Sequence, residues 1–218
     1  MDVRDSIFEA IRAGNLDLLR DILEQDPTNA AQRDANGMSA LMLARYRSND
    51  EILELLLKAA PPFDVFEAAA FGHADKLLDL LRDDASLALA YSPDGFTALH
   101  LAAYFGYADA VDLLLTHGAD ARATSRNPML LTALHSAAAA QRHAIASTLL
   151  EHGADPDAIQ AGGFTPLHSA AHQGDTVLVD VLLGRGANAH IISDDGRDAA
   201  AMAAEKNHSA LAARLQAH

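Results

Sequence analysis

Eleven histidines, thirty carboxylates and no cysteine are the raw material for chemistry in this 218-residue chain. Without cysteine there are no disulfides, thiolate metal sites or thiol nucleophiles. The sharpest metal candidate is His168 with His172. A spacing of four puts both rings on one helix face, a geometry that zinc uses. Structural zinc needs four ligands, however, and neither HExxH nor two further ligands accompany the pair, so no metal is expected. Ser136 and Ser169 each follow a histidine, but adjacent residues on a helix point in different directions and cannot form an activated pair. The chain has no G-x-S-x-G elbow, no phosphate-cradling glycine loop and no dinucleotide fingerprint. No catalytic residue, cofactor or enzymatic activity is expected.

Three of the histidines belong to a recurring tetrad: Thr97-Ala98-Leu99-His100, Thr132-Ala133-Leu134-His135 and Thr165-Pro166-Leu167-His168. Ser39-Ala40-Leu41-Met42 and Asp198-Ala199-Ala200-Ala201 are worn copies. The spacings from Thr97 are 35, 33 and 33 residues, a period that marks stacked supersecondary units unable to bury their apolar faces alone. Each tetrad opens a helix with a capping side chain, and Pro166 sits where a missing N–H costs nothing. Glycines stop the first helices at Gly14, Gly72, Gly106 and Gly174, and the second at Gly118, Gly153 and Gly186. Ser48, Gln141 and Asn207 hold that stop elsewhere. Asn36-Gly37, Asp94-Gly95, Gly162-Gly163 and Asp195-Gly196 carry the turn chemistry of a tight hairpin.

With Thr-Pro-Leu-His, Gly-Ala-Asp at 118–120 and 153–155, Gly186-Ala187-Asn188 and Gly72-His73, the chain resembles the ankyrin-repeat family from about Asp5 to Leu215. The resemblance implies an all-α fold with short β-hairpin fingers, an α-solenoid of about seven helix-turn-helix units forming one domain over 1–218. The approximate units are 2–33, 34–63, 64–92, 93–124, 125–158, 159–191 and 192–218. It also implies that the tetrad histidines bond at the hairpin bases and tie adjacent units together. His117 and His152, just before the Gly that ends a second helix, favour the helix C-terminal dipole when charged. Phe8 and Phe66 replace the tetrad histidine and are expected to plug the core.

Two places depart from the pattern. Only 24 residues separate Leu41 from Val65, with Pro61-Pro62-Phe63-Asp64 where a hairpin belongs, so one finger is missing or shortened. Before Thr132 there are two extra residues, with Met129-Leu130-Leu131 in place of a Gly. Residues 7–60 also align without a gap onto 65–118, with 19 identities in 54 positions. A duplicated two-unit block would make 61–64 a seam.

In the ankyrin arrangement, finger tips and the outer ends of first helices line a concave groove. Those positions hold Met38, Tyr46 and Arg47, then Phe71, then Phe96, Tyr104 and Phe105. Later come Leu131 (with Ala139 and Ala140), then Phe164, His172 and Gln173, then Arg197, Glu205 and Lys206. Six of the eleven aromatics sit there, and rigid rings on an exposed face suit partner anchoring. A non-catalytic protein–protein interaction module of adaptor, scaffold or inhibitor type, binding a protein or peptide, is therefore expected. The alternative is a small-ligand, metal or enzymatic protein using groove histidines and carboxylates.

A formal net charge of −14, from 16 Lys+Arg against 30 Asp+Glu, repels phosphate backbones, so nucleic acid is not an expected partner. No basic stretch precedes an apolar core at the start, and no apolar run approaches the roughly 18 residues a spanning helix needs. Polar outer residues on both end units (Arg12, Asp17 and Arg20; Lys206, Arg214 and Gln216) fit a capped monomer. A cytoplasmic monomer, with no membrane partner, is the expectation.

Overall fold

Capping side chains set where the helices begin. The computed structural model describes residues 3–59 and 61–218, with residues 3 and 4 in backbone only. The described chain divides into two compact units, 1–67 and 68–218.

In the first unit, α1 (Val3–Ala13) packs on α2 (Leu16–Gln25), and α3 (Ala40–Tyr46) on α4 (Asp50–Lys58). Ser39 Oγ accepts the Met42 N–H at 3.1 Å and opens α3. The second helices are capped as well: Asn15 Oδ1 accepts from Leu18 and Asn49 Oδ1 from Ile52, both at 3.1 Å. Each such cap is worth about 1 kcal/mol. α1 stacks on α3 and α2 on α4, around Ile7, Phe8, Leu19, Leu41 and Ile52, all nearly or fully buried. A hairpin finger between the pairs closes on the Arg33–Ser39 bridge.

The boundary between units falls within α5 (Val65–Phe71). No β-bridge forms over the described residues between α4 and α5, in keeping with a missing finger there. The second unit continues with α6 (Ala74–Asp83), α7 (Ala98–Phe105), α8 (Ala108–Thr116), α9 (Ala133–Ala139), α10 (His143–Glu151), α11 (Pro166–Gln173), α12 (Thr176–Gly184), α13 (Ala199–Glu205) and α14 (Ser209–Gln216). First helices α7, α9, α11 and α13 stack in one layer, second helices α6, α8, α10 and α12 in another. Alanines at 102, 103, 137, 138, 170 and 171 are fully buried, so first-helix backbones approach closely. Leucines 99, 114, 134, 149, 167 and 182, at most 1 % exposed, fill the space between layers; burying each stabilises by about 1.5–3 kcal/mol.

Fingers close on the bridges Tyr91–Thr97, Thr124–Thr132 and Gln160–Phe164. Neighbouring fingers are also joined: the Arg126 N–H donates to the Gly95 carbonyl at 2.7 Å, Ala161 to Met129 and Asp194 to Gly162, both at 2.9 Å. Gly95 has φ +84°, and a Cβ there would lie 2.8 Å from the Arg126 carbonyl carbon, so only glycine admits this approach. The fold is the ankyrin-repeat α-solenoid, all-helical but for its bridged fingers.

Two elements were not foreseen. Short 3₁₀ turns at Pro27–Ala31 and Ala85–Leu89 occupy links expected to be extended. Asp26 and Asp84 nucleate them, each accepting both the backbone N–H and the hydroxyl of the residue two on, Thr28 or Ser86. These turns recur 58 residues apart. So do α2 and α6 (16–25, 74–83) and α4 and α8 (50–58, 108–116), the offset at which the sequence repeats itself.

Candidate protein-binding face

The tetrad histidines are closed to chemistry by their own bonds. His100 Nδ1 accepts from the Thr97 backbone N–H (3.3 Å) and lies 2.7 Å from its hydroxyl, while Nε2–H donates to the Leu131 carbonyl at 2.8 Å. His135 repeats this with Thr132 and the Phe164 carbonyl (3.2 Å), and His168 with Thr165 and the Arg197 carbonyl (3.1 Å). Each imidazole thus caps its own helix and ties it to the next finger. Burial disfavours the imidazolium, lowering the pKa of all three, that of His135 to about 4. His168 has no free nitrogen for a metal beside the exposed His172. No group of three or more metal-ligating side chains occurs among the described residues. His117 and His152 each donate Nδ1–H to a carbonyl in the last turn of their helices, at 2.8 and 2.9 Å.

Around this rigid frame the expected binding positions separate by environment. In the first unit Tyr46 is 38 % exposed, Arg47 is exposed with Nη2 on the Arg12 carbonyl (2.9 Å), and Met38 is half-buried. In the second unit Tyr104 is 49 % exposed at the end of α7. Its ring meets the half-buried Phe105 edge-on, with centroids 5.2 Å apart. Arg142 Nε reaches the Tyr104 carbonyl at 3.4 Å from the following repeat. Phe96 and Phe164 fold down towards the imidazoles of His100 and His168, centroids 5.9 and 6.0 Å away, and are half-buried, as is Phe71. Gln173 Nε2 donates to the Ala138 carbonyl and to Ser169 Oγ, both at 3.2 Å, so its amide serves as a tie between repeats.

Leu131 departs from expectation. It is 8 % exposed, because its carbonyl is the acceptor for His100 and its N–H donates to Ser125 Oγ (3.0 Å), which turns the side chain inward. The two extra residues put Met129 and Leu130 at the tip instead, 53 % and 51 % exposed, with Leu130 in the left-handed region at φ +52°. Phe8 is 2 % exposed, but Phe66 is only half-buried. Glu67, the next residue, is buried and accepts the Asp64 N–H while Asp64 accepts the Glu67 N–H, both at 2.8 Å. Burial raises the Glu67 pKa, opposed by the Ser39 hydroxyl that bonds it. Arg33 lies 2.7 Å from Asp64 and 3.6 Å from Glu67.

Tyr91 was missed. It lies one residue before the finger position whose N–H bonds across the hairpin, and Thr124, Ile159 and Ile192 share that register. Ile159 and Ile192 are 57 % and 64 % exposed. The finger register that places these residues is readable in the sequence.

Against known families, residues 65–160 match a model of three ankyrin repeats, and 36–65 and 162–194 each match a single ankyrin repeat. Among characterised proteins, the chain is 29 % identical over 57 % of its length to Ankyrin repeat and SAM domain-containing protein 6 of Rattus norvegicus. It is 30 % identical over 53 % to the Probable E3 ubiquitin-protein ligase XBOS31 of Oryza sativa subsp. japonica. It is 33 % identical over 89 % to Ankyrin repeat and SOCS box protein 3 of Bos taurus. These matches span 11 %, 28 % and 33 % of the relatives' own lengths. Ankyrin repeats mark a protein–protein interaction module, and no described helix is long and apolar enough to cross a membrane. With matched repeats, imidazole ties and finger ladder in agreement, the chain belongs to the ankyrin-repeat family.

Proposed function

We propose that this chain is a non-catalytic adaptor-type module that holds a protein or peptide in its concave groove, with Tyr104 as the central anchor. One observation carries the reading: in a chain with only four tyrosines, the Tyr104 ring stands half in water on a rigid first helix, braced edge-on by Phe105. A large ring held in one orientation buries area in a complex at little entropic cost. Phe96 and Phe164 contribute half-exposed apolar surface and His172 an exposed polar edge. The tetrad histidines, fully engaged in the frame, supply no base or ligand. The acidic charge favours a dispersed monomer, and a cysteine-free chain suits the reducing cytoplasm.

The test is affinity capture from host extract, comparing the wild-type chain with Tyr104→Ala and reading captured proteins by mass spectrometry. Tyr104→Ala removes an exposed ring, so helicity and Tm stay at wild-type values while specific capture falls at least tenfold, a loss of about 1.4 kcal/mol or more. Undiminished capture by a folded Tyr104→Ala variant rejects the groove as the binding site.

A further inference from the structure

A second surface of the 68–218 unit carries its own chemistry. A hollow of about 400 Å³ opens at the base of two fingers, lined by Leu89, Tyr91, Asp120, Arg122 and Arg126 among others. A second, of about 580 Å³, shares Arg122 and Thr124 with it and runs on to Pro156, Ala158 and Ile159. Several exposed arginines elsewhere are neutralised within the chain: Arg33 by Asp64, Arg185 by Glu151, and Arg214 by Asp180, at 2.6–2.7 Å. Arg122 and Arg126 meet no carboxylate among the described residues. They are held in other ways. Arg122 Nε donates to the Gly153 carbonyl at 2.7 Å, leaving its Nη edge unbonded. The Arg126 guanidinium lies over the Tyr91 ring, 3.9 Å from its centroid, and Tyr91 is fixed by its hydroxyl on the Thr124 carbonyl at 3.1 Å. Nearby acids are turned to local work: Asp120 accepts the Arg122 backbone N–H and Asp155 that of Asp157.

In a chain with nearly two acids per base, two adjacent guanidiniums positioned without spending a carboxylate form a prepared anion-binding pair. We infer that this strip docks an extended acidic peptide segment of a partner protein, its carboxylates on Arg122 and Arg126 and an apolar side chain on Ile159. The spacing suits an extended strand. Packed repeats lie about 8–10 Å apart and a strand rises about 3.3 Å per residue, so about three peptide residues step one repeat along Tyr91, Thr124 and Ile159. The inference rests on the peptide-binding reading of the chain but on side chains other than Tyr104.

The test is fluorescence anisotropy at physiological ionic strength with the whole chain and a fluorescein-labelled nonapeptide of three Glu-Glu-Leu repeats. The peptide should bind the wild-type chain. Binding should weaken at least tenfold when Gln replaces each Glu of the peptide, and equally on Arg122→Gln with Arg126→Gln. Because Arg122 also ties to Gly153, Arg126→Glu alone is the second variant: the Arg126 guanidinium lies on the Tyr91 ring and makes no hydrogen bond among the described residues, so the variant should lose binding with Tm nearly unchanged. Tyr104→Ala should bind the peptide like wild type. No binding by the wild-type chain, equal binding of the Gln peptide, or undiminished binding by Arg126→Glu overturns the inference. Loss confined to Tyr104→Ala would also overturn it and place the peptide in the groove.

Discussion

His135 shows how one side chain does both of the repeat's structural jobs. Its Nδ1 accepts at the head of α9 and its Nε2–H donates into the next finger, so only the neutral ring satisfies both partners. The unfolded ring has the ordinary value of 6.5, whereas burial lowers the folded one to about 4. Between those values the unfolded chain binds a proton that the folded chain refuses, so stability is complete above pH 6.5 and is lost as pH falls through the window. For His135 alone the loss by pH 4 is roughly 3 kcal/mol, at 1.36 kcal/mol per pH unit. His100 and His168 act in the same direction. Urea midpoints measured from pH 7 to 4.5 should fall steadily, and the His135 ring protons in NMR should not titrate until well below pH 6. A folded-state titration of His135 near 6.5 would show that the ring is not confined as described.

At the scale of the helix, the stops were legible because left-handed backbone is demanded whatever residue stands there. Ser48, Gln141 and Asn207 occupy first-helix stops at φ +51°, +54° and +64°, where related repeats place Gly. Gln141 is exposed, so Gln141→Gly removes a strained Cβ with little lost packing. The expected gain is about 0.5–1 kcal/mol in urea unfolding, since a left-handed non-glycine residue costs about 1–2 kcal/mol and glycine's extra chain entropy offsets part of it; a loss would mean the Gln side chain packs usefully. Helix starts were less legible. Counted back from Gly72, Phe66 occupies the histidine slot, but α5 begins one residue later relative to its stop than α7 does, and the reciprocal cap falls to Asp64 and Glu67. A repeat period fixes the stop-to-stop distance and leaves the N-terminal register to whichever acid or hydroxyl caps best. The groove was legible to the same extent. Sequence position located Tyr104 at a helix end, yet could not tell that Leu131 turns inward, because that depends on which finger carbonyl an imidazole 31 residues away selects. The Tyr91–Arg126 stack is equally non-local and had no periodic signature to betray it.

Across the 68–218 unit, stability passes from neighbour to neighbour, because α9 packs on α7 and α11 and no repeat buries its leucines alone. Such an array unfolds as one only while every interface is stronger than the weakest repeat. The His135 tie sits mid-array, joining α9 to the finger that ends at Phe164. His135→Ala removes both of its bonds: the Phe164 carbonyl keeps the Gln160 N–H at 2.9 Å, but the Thr132 N–H is left without a partner in a buried place, at about 1–3 kcal/mol. That weakening falls on one interface and leaves the leucine core on either side in place. Urea unfolding followed by circular dichroism should then broaden or split, the main transition losing m-value because less surface is exposed in each step. A single transition of wild-type m-value, merely shifted to lower urea, would mean that coupling runs through the stacked alanines and leucines, and that the imidazole ties set helix ends without carrying cooperativity.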